Sequence, residues 1–188
     1  MIVGERVRFR GVERADIPQF VAWLNDPEVI QGLLIHYPLS KADEEGWFDR
    51  MLALPPDERV IGIEAREATP DSDGDTWKLI GTCAFDHIDW RIHAAEFGIV
   101  IGEKSYWNQG YGTDSVRLLL RHGFNTLNLN RIFLHVFDNN PRAIHAYEKA
   151  GFTLEVRERQ AEYRDGKYID LLLMSILKSE YLERGEAI

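Results

Sequence analysis

The 188-residue sequence predicts an α/β fold, in which helices flank a mixed, mostly antiparallel central sheet. Short runs rich in Val, Ile and Phe alternate along the chain with segments whose apolar residues recur at helical spacing. Pro and Gly stand between many of these segments, where they end helices and form turns. The length suits one full core and is short for two, so we assign residues 1–188 to a single domain.

The N-terminal half combines strand and helix patterns. Its strand patterns cover residues 7–11, 59–67 and 77–89. Asp16 is a favoured helix cap, and the apolar residues after it predict a helix that is interrupted at Pro27. A second helix is predicted over residues 42–54, and a turn-rich segment at 69–75 predicts a hairpin connection.

The C-terminal half continues the alternation. Its strand patterns cover residues 96–102, 131–137, 152–163 and 168–177. The second of these runs is apolar almost throughout, which is expected of a buried central strand. The last two flank Asp165-Gly166, a turn signal, so they predict a closing hairpin.

A glycine loop lies between the strand pattern at 96–102 and the helical pattern after it, and reads Trp107-Asn108-Gln109-Gly110-Tyr111-Gly112-Thr113. A helix N-terminus attracts anions, because its first N–H groups are unpaired and the helix dipole is positive there. Gly110 and Gly112 allow a phosphate to approach the main chain closely. The loop therefore predicts a phosphate-bearing cofactor.

Two other phosphate-binding motifs fit the chain less well. A P-loop needs G-x-x-x-x-G-K-[ST], but the run from Gly98 to Ser105 is one residue out of register and β-branched where the cradle belongs. A dinucleotide-binding fold needs G-x-G-x-x-G early in a βαβ unit. Here Gly110-Tyr111-Gly112 is followed by Ser115 instead of a third glycine, so a dinucleotide-binding protein is the less favoured alternative.

A second segment carries helix signals at both ends. Asn140 is a favoured N-cap, Pro141 fits the first helical position, and Gly151 suits a left-handed C-cap. The segment reads Asn140-Pro141-Arg142-Ala143-Ile144-His145-Ala146-Tyr147-Glu148-Lys149-Ala150-Gly151-Phe152.

With both segments the chain resembles the GCN5-related N-acetyltransferase (GNAT) superfamily. That family carries a Q/R-x-x-G-x-G/A loop and then N-x-x-A-x-x-x-Y-E-K-x-G-F, in the order and spacing seen here. Residues 23–29 and 95–99 are similar to the ribosomal-protein N-terminal-alanine and spermidine acetyltransferase branches. One position departs, since Trp107 stands at the family's Q/R and the glutamine is Gln109. Pyrophosphate contacts are then expected mainly from backbone amides.

The resemblance implies a GNAT-like acyl-CoA N-acyltransferase fold and an acetyl-CoA-dependent N-acetyltransferase, in which the amine attacks the thioester directly in a ternary complex. It implies that the backbone of Ile99, Val100 and Ile101 pairs with the pantetheine arm and faces the developing oxyanion. Asn140 is expected to hydrogen-bond that arm. The pyrophosphate is expected on Asn108, Gln109, Gly110, Tyr111, Gly112 and Thr113.

Two side chains are the catalytic candidates. Tyr147, which the motif also places at the cofactor, is expected to be the general acid, since a phenol with a reference pKa of about 10 is protonated at neutral pH and can protonate a thiolate. Glu96, at the start of the cofactor strand, is the candidate base. Asp86 and His87 on the preceding strand are rivals to Glu96, and water is another.

The charge of the chain indicates which kinds of molecule it can bind. A net charge of -9 argues against nucleic acid, whose binding depends on basic contacts. Residues 104–149, which contain the loop, hold six basic and three acidic residues, whereas residues 1–103 hold ten basic and 20 acidic ones. The acidic half can attract a cationic amine. Asp43, Glu44 and Glu45 suit a polycation, but they also suit the polar face of a helix.

The sequence does not support a secreted protein, a membrane partner or a metal site. There is no apolar leader and no run of 18 apolar residues, so neither secretion nor a membrane partner is expected. A single cysteine, Cys83, cannot form an internal disulfide, which favours the cytoplasm. The histidines show no metal-ligand spacing, so acetyl-CoA is expected as cosubstrate without a metal.

The favoured function is therefore acetyl transfer from acetyl-CoA to a primary amine. The acceptor is a polyamine or other small amine, or a protein N-terminal α-amino group, and the sequence does not decide among them. The alternative class is a non-catalytic CoA-binding module with the same fold. A homodimer is compatible with the sequence, since dimers are the commonest assembly of such chains.

Overall fold

A computed structural model describes residues 1–67 and 76–185. Its strands are β1 (Ile2–Val3), β2 (Val7–Gly11), β3 (Ile61–Glu67), β4 (Thr76–Asp89), β5 (Ala94–Ile101), β6 (Arg131–Phe137), β7 (Thr153–Arg164) and β8 (Lys167–Leu177). Its α-helices are α1 (Ile17–Leu24), α2 (Pro27–Ile30), α3 (Lys41–Leu52), α4 (Tyr111–Arg121), α5 (Pro141–Ala150) and α6 (Lys178–Glu183). The predicted hairpin connection at 69–75 lies outside the described residues.

The strands form an eight-stranded sheet in the order β1-β2-β3-β4-β5-β6-β8-β7. The pairs β1/β2, β2/β3, β3/β4, β6/β8 and β7/β8 are antiparallel, whereas β5/β6 is parallel. The predicted mixed, mostly antiparallel sheet with flanking helices is therefore confirmed. In the described chain the parallel pairing covers three residue pairs, from Ala94↔Arg131 to Glu96↔Phe133, although β5 continues to Ile101.

The chain divides into two compact units. The first contains Met1–Phe85 and Ile99–Tyr111, and the second contains Asp86–Gly98 and Gly112–Ile188. The assignment of residues 1–188 to one domain stays a prediction.

The core of the first unit is built from one face each of α1 and α3. Ile17, Phe20 and Trp23 recur at helical spacing on α1 and are buried, as are Phe48 and Met51 on α3. The ring centroids of Phe20 and Trp23 lie 6.0 Å apart. Each buried apolar side chain of this size contributes about 1.5–3 kcal/mol relative to an exposed one, so this cluster fixes the two helices in the unit.

Asp16 has a different role from the predicted one. Its side chain makes no cap hydrogen bond to α1. Instead its carboxylate accepts two hydrogen bonds from the Arg10 guanidinium, at 2.7 and 2.9 Å. Burial alone would raise the pKa of Asp16, but the hydrogen bonds from Arg10 and from the Glu13 backbone lower it below its usual value. Arg10 also donates to Glu64, whose side chain is 8% exposed, so the arginine compensates a buried charge.

Several short elements had no signal in the sequence. Pro27 ends the α1 region, as predicted, but it also starts α2, because proline at the first helical position loses no hydrogen bond. Asp26 caps α2 by accepting a backbone N–H. Among the described strands and α-helices, β1 and α6 were also not predicted, because at two and six residues they are too short for a periodic pattern.

The second unit is organised around β6, the predicted central strand. Ile132, Leu134 and Val136 are buried along it, and all seven residues of β6 pair with β8. As predicted, α5 begins after Asn140 and is capped at its C-terminus by Gly151, which adopts φ 103°. Only glycine takes this conformation without strain, so the end of α5 is set by this residue.

We expect Gly102→Ala to destabilise the protein by about 1–3 kcal/mol, the usual cost of an overpacked core. A Cβ on Gly102 would overlap the indole ring of Trp23, which cannot withdraw because it is packed in the first unit's core. Chemical denaturation measures the effect. Gly11→Ala is the control, because a Cβ there meets nothing within 4 Å. Equal unfolding free energies for the two variants would contradict the packing described for Trp23.

Candidate active site

The end of β5 lies close against β4 within the first unit. A Cβ on Gly81 of β4 would overlap the carbonyl oxygen of Val100, so only glycine permits this approach. The residues predicted to pair with pantetheine are half-buried, namely Ile99, Val100 and Ile101.

Trp107 anchors the glycine loop to β5. Its indole N–H donates to the carbonyl oxygen of Ile101 at 2.7 Å, and its ring packs against the core of the first unit. The side chain at the family's Q/R position is therefore structural here. It also occupies one lone pair of the Ile101 carbonyl, which leaves the other lone pair for any further partner.

The loop reaches the start of α4 through two left-handed residues. Asn108 adopts φ 59° and Gly110 adopts φ 87°, and α4 begins at Tyr111. Asparagine and glycine are the residues that tolerate this region best. The side-chain amide of Gln109 donates to the carbonyl oxygen of Ser105, which braces the loop on its N-terminal side. The predicted succession of glycine loop and helix is thus present.

Arg6 is a loop contact that sequence reasoning missed. Its Nη2 donates to the carbonyl oxygen of Gln109 at 3.0 Å, and its guanidinium lies 4.2 Å from the centroid of the Tyr111 ring. Because 103 positions separate Arg6 from Gln109, no local pattern could have identified it.

The basic residues of the 104–149 stretch are partly neutralised. Lys104 contacts the carboxylates of Asp26 and Glu28 at 2.7 and 2.6 Å, and these hydrogen bonds raise its pKa. Arg131 makes two bonds of 2.8 Å to Glu155. The excess of positive charge counted along the sequence is therefore not all available to an anion.

Asn140 carries out the predicted capping role. Its Oδ1 accepts the backbone N–H of Ala143 at 3.2 Å. Its Nδ2 has no hydrogen-bond partner among the residues that the structure describes, so this amide can donate to a ligand while Oδ1 caps α5.

Tyr147 is held by aromatic contacts within the second unit. Its ring centroid lies 5.8 Å from that of Phe97, edge to face, and 5.9 Å from that of Phe152. The residue is 9% exposed, and burial raises the pKa of its phenol to about 12. In the described chain the hydroxyl has no hydrogen-bond partner. The side chain is thus a protonated phenol with a fixed ring and a hydroxyl that remains able to donate.

Glu96 is paired with a histidine that the sequence analysis did not single out. Oε1 of Glu96 lies 2.6 Å from Nδ1 of His135, and the two side chains are 31% and 32% exposed. The rival bases Asp86 and His87 are exposed on β4, and His87 adopts φ 51°. Each of these three predicted bases lies in the second unit.

The acidic residues of α3 differ from one another. Asp43 shares a capping box with Ser40, and Glu45 faces Lys41 at 3.6 Å, so both are surface residues with local partners. Glu44 is 5% exposed, contrary to the expectation of a polar outer face. Burial raises its pKa, and the Asp43 carboxylate adds to the effect.

Residues 1–67 and 76–185 contain no group of three or more His, Cys, Asp or Glu side chains arranged to hold a metal ion. No helix in this part of the chain is both long and apolar enough to cross a membrane. Cys83 is buried, and burial raises the pKa of its thiol. The cytoplasmic location stays a prediction.

Comparison with known proteins agrees with these features. The acetyltransferase (GNAT) domain family matches residues 6–153. The spermidine N(1)-acetyltransferase of Vibrio cholerae serotype O1 is 29% identical over 185 residues, which cover 98% of this chain and 100% of that protein. An uncharacterized N-acetyltransferase, p20, of Bacillus licheniformis is 31% identical over 94% of this chain and 96% of its own length.

Solved structures give the same result. The crystal structure of spermidine N-acetyltransferase from Vibrio cholerae in complex with CoA and spermine has a TM-score of 0.82 and 27% identity, covering 95% of this chain and 99% of that one. A dodecameric structure of that enzyme has a TM-score of 0.77 and 27% identity, over 96% and 99% of the two chains. The chain therefore belongs to the GNAT acetyltransferase family and is an acetyl-CoA-dependent N-acetyltransferase.

Proposed function

We propose that the enzyme acetylates a primary amine of a polyamine, with Tyr147 as general acid and Glu96 as general base. The residues proposed to bind acetyl-CoA are Ile99, Val100, Ile101, Asn108, Gln109, Gly110, Tyr111, Gly112, Thr113, Asn140 and Tyr147. The observation that carries the catalytic assignment concerns two consecutive residues of β5. Glu96 contacts His135, and Phe97 contacts Tyr147.

Consecutive side chains of a strand point to opposite faces of the sheet. The carboxylate of Glu96 and the ring of Phe97 therefore lie on opposite faces of β5, and Tyr147 lies on the face of Phe97. This arrangement supports separate roles for the two side chains, one as base and the other as acid. A base on one face can take a proton from the incoming ammonium, while an acid on the other face protonates the departing sulfur.

The reaction needs the loss of two protons from nitrogen and the gain of one at sulfur. The first ammonium N–H bond breaks and Glu96 takes the proton, which leaves a neutral amine. The amine nitrogen forms a bond to the acetyl carbon, a second N–H proton passes to water, and the C–S bond breaks as the tetrahedral intermediate collapses to the neutral amide. The thiolate takes the proton of the Tyr147 hydroxyl, and solvent restores both side chains. General acid–base steps of this kind contribute about 10²–10⁴-fold each.

Backbone geometry supports the proposed cofactor residues on β5. Among residues 1–67 and 76–185, the pairing of β5 with β6 ends at Glu96, and five further residues of β5 follow. A strand edge without a β partner can add an extended ligand by main-chain hydrogen bonds. The pantetheine arm is a ligand of that kind, and an N–H of Ile99, Val100 or Ile101 would then face the thioester carbonyl and stabilise its developing negative charge.

The raised pKa of Tyr147 is compatible with the acid role. A phenol with a pKa of about 12 remains protonated at every working pH. Transfer to a thiolate in water would be uphill, because a thiol there has a pKa of about 8.5. Burial disfavours the charged form of both groups, and Cys83 illustrates the upward shift for a thiol in this protein. A sulfur that leaves within a water-poor site is therefore a stronger base than one in solution.

Two observations support a polyamine as the acceptor. A spermidine N(1)-acetyltransferase matches 98% of this chain, and a solved spermidine N-acetyltransferase structure with a TM-score of 0.82 contains CoA and spermine. The N-terminal 103 residues hold twice as many acidic as basic residues, which favours a substrate with several ammonium groups. A protein N-terminal α-amino group is the second candidate, since a monocation would use the same acid and base.

We expect spermidine and spermine to be acetylated with kcat/KM at least about tenfold above that for a peptide with N-terminal alanine, a difference of about 1.4 kcal/mol. Release of free CoA thiol measures the reaction. A monoamine of similar chain length is the control, because it offers the reacting group without the second charge. Preference for the peptide would refute the polyamine assignment. Stabilisation by acetyl-CoA without thiol release from any acceptor would identify a binding module.

Tyr147→Phe should lower kcat by about 10–10⁴-fold and leave acetyl-CoA affinity nearly unchanged. The variant keeps the ring that contacts Phe97 and Phe152 and removes only the hydroxyl. Turnover, cofactor affinity and melting temperature are measured on the same preparation. A structural tyrosine would show a lower melting temperature with little loss of kcat, and that result would remove Tyr147 from the mechanism.

Glu96→Gln should lower kcat by about 10²-fold or more near pH 7, and the deficit should shrink as pH rises. An aliphatic amine with a pKa of about 10.4 is almost fully protonated at pH 7, so raising the pH supplies the neutral amine without a base. The pH profile of kcat/KM for wild type and variant is the measurement. A deficit that stays constant from pH 7 to 10 would indicate that Glu96 does not deprotonate the amine. Asp86→Asn and His87→Gln, measured in parallel, test the rival bases.

A further inference from the structure

Among the described residues, the side chains of Glu96 and His135 form a hydrogen bond to each other and to no other residue. In the described part of the chain Nδ1 of His135 is the one hydrogen-bond partner of the Glu96 carboxylate. The other contact of the His135 ring is edge to face with Phe133, at 6.2 Å between centroids. Oε2 of Glu96 and Nε2 of His135 therefore keep their hydrogen-bonding capacity for solvent or a ligand.

Strand register brings these side chains together. Glu96 pairs with Phe133 across β5 and β6, and residues paired in this way point to the same face. His135 lies two positions beyond Phe133, so it shares that face. Its imidazole reaches back along β6 to the carboxylate. The distance of 2.6 Å between Nδ1 and Oε1 is short for a hydrogen bond between a nitrogen and a carboxylate oxygen.

The direction of this bond follows from the chemistry of the groups. An ionised carboxylate only accepts hydrogen bonds, so the hydrogen lies on Nδ1 of His135. Because Oε1 is held by that hydrogen, rotation of the carboxylate is restricted and Oε2 is the atom left to accept a proton.

We propose that His135 is the positioning residue for the catalytic base: its Nδ1–H holds Oε1 of Glu96, so that Oε2 receives the proton of the acceptor ammonium. The inference rests on the proposed role of Glu96. In the step itself the N–H bond of the ammonium breaks and an O–H bond forms at Oε2. The proton then leaves Oε2 for water, and His135 retains its own proton throughout.

A purely structural ion pair is the alternative. Exposed ion pairs contribute little to stability, and both side chains here are about a third exposed. The structural interpretation therefore predicts a small change in stability and none in catalysis. Positioning predicts the reverse, because misplacing a reacting group by about 1 Å can cost up to about 10²-fold in rate.

Two nearly isosteric variants separate these interpretations. His135→Asn keeps an N–H donor close to the position of Nδ1, whereas His135→Leu removes it without a large change in volume. We expect His135→Leu to lower kcat about tenfold with KM for acetyl-CoA unchanged. We expect His135→Asn to stay within about threefold of wild type. Equal kcat for the Leu and Asn variants would overturn the proposal.

A double-mutant cycle provides the second readout. If His135 acts through Glu96, the double variant Glu96→Gln/His135→Leu should be no slower than Glu96→Gln alone, because residues that act as a unit are not additive. Additive losses would contradict the proposal. Arg14→Leu is the control, since it removes an exposed ion pair of 2.5 Å to Asp49 and should leave kcat unchanged.

The same experiments distinguish failure of this proposal from failure of the proposed function. A wild-type enzyme that releases no thiol with any amine would overturn the function itself. An active enzyme in which Glu96→Gln is fully active would overturn the base assignment and with it the role of His135. An active enzyme that needs Glu96 but tolerates His135→Leu would overturn the positioning role alone.

Discussion

The proposed chemistry depends on where β5 stops pairing with β6. In the part of the chain that the structure describes, Glu96 forms the last pair with β6, opposite Phe133, and the strand continues to Ile101. The paired part fixes the Glu96 side chain next to β6, and the remaining part contains the main-chain groups that we propose bind the cofactor. The twofold period of the strand then places Phe97, and with it Tyr147, on the other face. One short parallel pairing thus sets the position of both the proposed acid and the proposed base.

Structural features that depend only on neighbouring residues could be predicted from the sequence. The N-cap at Asn140, the left-handed Gly151 and the buried strand β6 each depend on residues within a few positions of one another. The motif around Tyr147 was recognised for the same reason. His135 was missed because its partner lies 39 positions away, and nothing near it in the sequence indicates a charged neighbour. Arg6 was missed for the same reason, since its partner Gln109 lies 103 positions away.

The charge counted along the chain overstates the positive charge available near the glycine loop. Lys104 belongs to the basic residues of the 104–149 stretch, yet it forms ion pairs with Asp26 and Glu28, which lie in the N-terminal part of the sequence. Trp107, at the position where the family has an ionic or amide side chain, turns its N–H to the Ile101 carbonyl. Neither residue offers a free cation to a phosphate. At the proposed cofactor site, recognition of the pyrophosphate then depends on backbone amides, the dipole of α4 and the left-handed turns at Asn108 and Gly110.

Partial exposure of the proposed base suits the turnover of a cationic substrate. In the proposed mechanism an ionised Glu96 attracts the ammonium and then takes its proton, so the neutral amine and the neutral carboxyl no longer attract each other. Acetylation converts the reacting ammonium into an uncharged amide, so the carboxylate no longer attracts that end of the product. Since Glu96 is 31% exposed, the proton can pass to water and the carboxylate is restored. A fully buried base would lack that exit, whereas a base without His135 would lack a fixed orientation.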